Sequence, residues 1–117
     1  HVDAFDSFEG LPEEWQGKPR GAFSTGGEAP ELPPNVTIHR GWFEQTLPRY
    51  ARELCAPLRL VHIDSDLYSS AVTALTALGP HLRAGTIVVF DQYIGNESWR
   101  NDEYRAFQEA VSHVGWR

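Results

Sequence analysis

Four short apolar runs punctuate the chain, and each stops at a polar residue or a glycine. "HVDAF" stops at Asp6, "NVTIHR" at Gly41, "LRLVHI" at Asp64 and "GTIVVF" at Asp91. The last is the cleanest, being β-branched, uninterrupted and led in by Gly85. Runs of this length and kind predict strands, and near-continuous apolar strands predict burial on both faces, as in parallel sheets covered by helices. Between them the period changes. In "FEQTLPRYARELC", Leu47, Tyr50, Ala51 and Leu54 recur at helical spacing, with Pro48 tolerable only in a first turn. "DLYSSAVTALTAL" sets Val72, Leu75 and Leu78 on one stripe, with Leu82 beyond and Gly79-Pro80 as a stop. "NDEYRAFQEAVSHV" sets Tyr104, Phe107, Val111 and Val114 on one face, with Asn101 or Asp102 as N-cap. Strand–helix–strand alternation predicts an α/β fold with a mainly parallel sheet.

Residues 9–35 break the pattern. They are rich in Gly, Pro and Glu without sustained periodicity, and an insert of this length is expected to be functional or mobile. Trp15 and Phe23 are the side chains expected to pin it to the body.

Composition narrows the classes. A chain of 117 residues with 41% hydrophobic content predicts one globular domain, and no internal repeat or linker divides it. A net charge of −6 with no Lys/Arg run argues against nucleic-acid binding. The single cysteine, Cys55, excludes an internal disulfide and a cysteine-cluster zinc site, reads as a small hydrophobe on its helix, and suits a reducing, cytoplasmic setting. No apolar run approaches the roughly 20 residues of a membrane span, and no signal peptide opens the chain. The opening inside a strand predicts a piece of a longer protein.

The acids at strand ends carry the candidate chemistry. Ligands of open parallel sheets bind outside the carboxyl ends of the strands, so Asp6, Asp64 and Asp91 are expected on one rim. Asp64 and Asp91 offer hard oxygen ligands suited to Mg²⁺, with Gln92 as a neutral third oxygen. The plainer reading makes Asp64 a turn residue and Asp66 an N-cap. Capping accounts for Asp66 but not for matched acids at two strand ends. An acid ending a strand before the turn of "FDSFEGLPE" also suits ribose hydroxyls. Gly41, Trp42 and Phe43 either approach an adenine or serve the core. His62, within a strand, reads as a hydrogen-bonded core residue, and His39, close to the rim, is a minor candidate for a base. No nucleophile elbow, phosphate loop or metalloprotease signature is present.

Taken in order, "FDSFEGLPEEW", "NVTIHRGWFEQTLP", "VHIDSDLYSS" and "GTIVVFDQY…EYRAFQEAV" resemble the S-adenosylmethionine-dependent O-methyltransferases of the macrocin and mycinamicin type. The resemblance implies a Rossmann-like class I methyltransferase three-layer sandwich with strand order 3-2-1-4-5-7-6. The four predicted strands would be its strands 2 to 5, leaving a partial domain over 1–117 without the first and last two strands. It implies that Asp6, Ser7 and Phe8 bind the cofactor ribose, that Gly41, Trp42 and Phe43 lie on the adenine side, and that Asp64 faces donor and acceptor. Asp64 and Asp91 become catalytic, and Asp64, Asp91 and Gln92 become ligands of Mg²⁺, with Gln92 standing where family members carry an acid. The metal would grip acceptor hydroxyls and lower the pKa of the one methylated. The acceptor would be a small sugar or natural product.

The family's first strand lies between its second and fourth. Without it, this chain is expected to bind cofactor poorly, to pair those two strands directly, or to fill the gap with another copy as a homo-oligomer. Two other readings stand beside methyl transfer. One is a Mn²⁺-dependent nucleotide-sugar glycosyltransferase using the D-x-D at Asp64 and Asp66, and the other a non-catalytic α/β fragment.

Overall fold

The computed structural model describes residues 1–116. All four predicted strands form: β1 (Val2–Asp6), β2 (Val36–Arg40), β3 (Leu60–Ile63) and β4 (Ile87–Phe90). Three α-helices accompany them, α1 (Phe43–Glu53), α2 (Tyr68–Leu78) and α3 (Glu103–Val114), with a single 3₁₀ turn over Gly79–His81. Among the described residues both strand pairings are parallel. β1 lies beside β2 with Asp6 opposite Arg40, and β3 beside β4 with Ile63 opposite Phe90. These are the 2–3 and 4–5 neighbours that the resemblance implies. Among the described residues they make two separate two-stranded sheets, so direct pairing of the Asp6 strand with the Asp64 strand is not formed.

The chain divides into two compact units, His1–Pro48 and Arg49–Arg117. In the first unit, the 9–35 segment is held by its own backbone. Leu11 donates to the Ala22 carbonyl (2.9 Å) and Gly21 to that of Leu11 (2.8 Å). Gly10 sits at φ +80°, where a Cβ would come within 2.2 Å of the Ala22 oxygen, so only glycine closes this turn. Trp15 is buried as expected, but Phe23 is 64% exposed and pins nothing. Lys18 instead lies over both rings, 5.1 Å from the Trp15 centroid and 5.7 Å from that of Phe23.

In the second unit, α2 packs on α3. Leu67, Ala71, Ala74, Leu75 and Leu78 are buried, as is Ala106 of α3. Burying each leucine removes apolar area worth roughly 1.5–3 kcal/mol. The expected α2 stripe holds at Leu75 and Leu78, while Val72 is only half-buried. Tyr104 and Phe107 of α3 meet Tyr93 and Phe90, with Tyr93–Tyr104 and Phe90–Phe107 centroids 5.1 and 5.2 Å apart. That contact seats α3 on the end of β4 and the segment after it.

Several local expectations fail. The strands are not buried on both faces: Val2, Leu60, Ile87 and Val89 are exposed. Pro48 lies inside α1, beyond its first turn. Val114, at the end of its stripe, is exposed. Cys55 is also exposed and lies past the end of α1, its thiol 3.4 Å from the Glu53 carbonyl, rather than on an apolar helix face. The N-cap position of α2 is Leu67, with no side-chain cap hydrogen bond, and not Asp66. Asp66 takes φ 61°, a left-handed conformation that Asp tolerates better than most residues. Asp102 does occupy the N-cap position of α3, but its side chain does not cap the helix. Its carboxylate accepts from the Ser98 hydroxyl instead.

Candidate functional site

The register of β3 and β4 explains why two acids distant in sequence meet. Ile63 pairs with Phe90, and the next rung continues the ladder, since the Asp91 N–H donates to the Ile63 carbonyl at 3.0 Å. Asp64 and Asp91 therefore leave adjacent strands side by side, at the interstrand spacing of about 4.8 Å. His62 precedes Asp64 by two residues, so both side chains leave the same face. The ligand atoms of His62, Asp64 and Asp91 all lie within 4.8 Å of one another, and all three residues are exposed. Two carboxylates and an imidazole converging in this way form a donor set that fits a divalent cation.

His62 corrects the sequence reading, which placed it in the core. The signal was present in "HIDSD", because alternate residues of a strand share a face. Gln92 follows Asp91 as expected, and its backbone N–H points to Glu103, with the donor 3.4 Å from Oε2.

Glu103 is the residue that sequence reasoning missed. It is the first residue of α3 and its side chain is fully buried. One carboxylate oxygen accepts from the Ser65 N–H (3.0 Å) and the Ser65 hydroxyl (3.4 Å), and the other from the Gln92 N–H. Burial pushes the Glu103 carboxyl above the usual range, against the pull of these donors, and the nearby Asp66 charge pushes the same way. Its sequence context, "NDEYRAF", looks like the ordinary start of an amphipathic helix, so only the assembled structure exposes it.

The first unit places the other candidates. The Phe8 N–H donates to Asp6 Oδ1 at 2.6 Å and the Glu9 N–H to the Ser7 hydroxyl at 3.1 Å, closing a tight turn after β1. Phe8 takes φ 61°. Its carbonyl is gripped by the Thr25 and Gly27 N–H groups at 3.2 and 2.8 Å, which ties the long segment to this turn. The Gly41 N–H donates to the Asp6 carbonyl at 2.9 Å, bringing the "RGWF" turn beside it. Gly41 has φ 137°, and Trp42 and Phe43 are half-buried. Asp6, Ser7, Phe8, Gly41, Trp42 and Phe43 are thus gathered at the carboxyl ends of one strand pair. His39 is occupied structurally: it bonds Asp3 Oδ1 at 2.8 Å and stacks on Phe5 at 4.5 Å.

Parallel strand pairs alternating with helices, with acids at the strand ends, fit the class I methyltransferase fold. A crystal structure of the calicheamicin methyltransferase CalS11 shares it, with a TM-score of 0.73 at 23% identity, over 95% of this chain and 52% of that one. The chain belongs to the macrocin O-methyltransferase (TylF) family, whose model matches residues 28–115. Two curated relatives are similar over shorter stretches. Demethyldecarbamoylnovobiocin O-methyltransferase of Streptomyces niveus is 40% identical over 77 residues, which are 64% of this chain and 28% of the relative. 8-Demethyl-8-(2,3-dimethoxy-α-L-rhamnosyl)-tetracenomycin-C 4′-O-methyltransferase of Streptomyces olivaceus is 43% identical over 62 residues, which are 53% of this chain and 23% of the relative. The chain thus matches about half of the solved structure and a quarter of the curated relatives.

Proposed function

We propose that the protein transfers a methyl group from S-adenosylmethionine to a hydroxyl of a small sugar or natural-product acceptor, with a divalent cation at His62, Asp64 and Asp91. The convergence of those three side chains at adjacent strand ends carries the reading. Family membership supports it, as do the names of the two curated relatives, both O-methyltransferases and one of them named for a rhamnosyl-bearing molecule. The exposed free thiol of Cys55 suits a cytoplasmic setting. Among the described residues no helix is long and apolar enough to cross a membrane.

In this reading the turn at Asp6, Ser7 and Phe8 receives the ribose, and Gly41, Trp42 and Phe43 flank the adenine. Asp64 and Asp91 face the acceptor hydroxyl, and a carboxylate oxygen not engaged with the cation takes up its proton as the oxygen attacks the methyl carbon. The sulfur–methyl bond then breaks to leave S-adenosylhomocysteine. Asp64 and Asp91, with Gln92 as a further oxygen donor, would hold Mg²⁺, which would supply Lewis acidity that lowers the hydroxyl pKa. Holding donor and acceptor in line provides much of the acceleration.

The test is methyl transfer to glycosylated acceptors by the full-length protein, with Asp64→Ala and Asp91→Ala variants alongside. Each substitution is expected to lower turnover by at least about 100-fold, the scale of a lost acid–base group. Stabilisation by UDP-sugar and Mn²⁺ with no response to S-adenosylhomocysteine would overturn the reading in favour of a glycosyltransferase.

A further inference from the structure

Glu103 carries an unusual burden. A carboxylate removed from water is costly unless its oxygens are satisfied, and this one is fully buried. Its donors are not scattered. Oε1 takes the N–H of Ser65, the residue after Asp64, and Oε2 faces the N–H of Gln92, the residue after Asp91. Among the described residues no ladder bond continues the strand pair beyond the Asp91–Ile63 rung, so at this point the two chain ends would otherwise be free to diverge. The carboxylate replaces the missing rungs with a bridge between the two turns that carry the acids. Its place in the first turn of α3 also suits its negative charge, since helix N-termini favour anions.

We propose that Glu103 is a positioning residue whose buried carboxylate clamps the turn after Asp64 to the turn after Asp91 and so sets the spacing of the cation-binding side chains. This rests on the cation reading of His62, Asp64 and Asp91. The clamp needs two acceptor oxygens, one per turn. Glu103→Gln keeps the shape but turns an NH₂ group toward one of the two N–H donors, so one arm of the clamp opens. The same change removes a buried charge, which offsets part of the lost hydrogen bonding. Spacing and stability are therefore separable in this variant. Partners that orient metal ligands cost about 10–100-fold in affinity when removed.

The experiment measures Mn²⁺ binding by calorimetry, melting temperature, and amide hydrogen exchange at Ser65 and Gln92, in the wild-type chain, Glu103→Gln and Ser65→Ala. Ser65→Ala removes only the hydroxyl contact and leaves both N–H arms. Glu103→Gln is expected to weaken Mn²⁺ binding by about 10–100-fold, to speed exchange at Ser65 or Gln92, and to melt within a few degrees of wild type. Ser65→Ala is expected to bind Mn²⁺ as wild type does. A Glu103→Gln chain that binds Mn²⁺ like wild type overturns the proposal, and so does one that only loses melting temperature. If the wild-type chain itself binds no Mn²⁺, the cation reading fails, and exchange then decides the clamp: unchanged rates at both amides in Glu103→Gln overturn it.

Discussion

The Tyr68 hydroxyl donates to Glu109 Oε2 at 2.6 Å, joining the first turn of α2 to the middle of α3. Arg105 holds the other oxygen of the same carboxylate at 2.8 Å and lies over the Tyr68 ring, 4.6 Å from its centroid. The tyrosine hydrogen bond first, and the arginine second, hold the Glu109 carboxyl below its usual range, while the same carboxylate pushes Tyr68 above 10.0. A depressed carboxylate stabilises the fold above its unfolded-state pKa, and that contribution is lost as pH falls through the folded value. In Tyr68→Phe the Glu109 midpoint, followed by carboxyl ¹³C shifts, is expected to rise toward that of an ordinary glutamate. The acid limb of the stability curve becomes correspondingly shallower. An unchanged midpoint would show that the hydrogen bond does not persist in solution.

The buried face of α2 makes a second comparison. Leu75 is 5% exposed and Val114 is 50% exposed, although both lie on predicted apolar stripes. Leu75→Ala is expected to cost about 2–5 kcal/mol in chemical denaturation. Val114→Ala is expected to stay within about 0.5 kcal/mol of wild type. Equal losses would mean that α3 buries its last turn.

Gly10 offers a backbone test in the first unit. Its φ of +80° and the 2.2 Å approach of the Ala22 oxygen to a hypothetical Cβ leave no room for a side chain. Gly10→Ala is expected to destabilise that turn by about 1–3 kcal/mol. Faster amide exchange at Leu11 and Gly21, whose hydrogen bonds close it, is the readout.

His62 bears on which ion the site prefers. An imidazole beside two carboxylates favours nitrogen-seeking ions such as Ni²⁺ and Zn²⁺ over Mg²⁺. His62→Ala is expected to weaken Ni²⁺ binding by about tenfold or more and to leave Mg²⁺ binding little changed. Parallel losses for both ions in calorimetry would show that the imidazole does not select between them.

Much of the framework was legible beforehand. Strand identity is local, and the strands ending at Asp6, Arg40, Ile63 and Phe90 were legible as short apolar runs, the last of them β-branched and uninterrupted. The helices were likewise legible from their spacing, and of the two N-cap candidates for α3, Asn101 and Asp102, Asp102 takes the position without a side-chain cap bond. What misled was local reasoning about single side chains. Asp66 looked like a cap because Asp before a helix usually is one, yet the chain turns through a left-handed conformation there and Leu67 takes the cap position. His62 looked like core because it sits in an apolar run, yet that face of β3 is open.

The sequence by itself determined four strands, three helices and acids at the strand ends, because hydrophobic periodicity and chain-turning residues act over a few neighbours. Only the tertiary structure decided that Ile63 pairs with Phe90, and therefore that Asp64, Asp91 and His62 converge. It alone decided that Glu103, an unremarked helix residue, lies buried beneath both turns. Register and burial are set by contacts between segments far apart in the chain, and no periodicity within either segment encodes them.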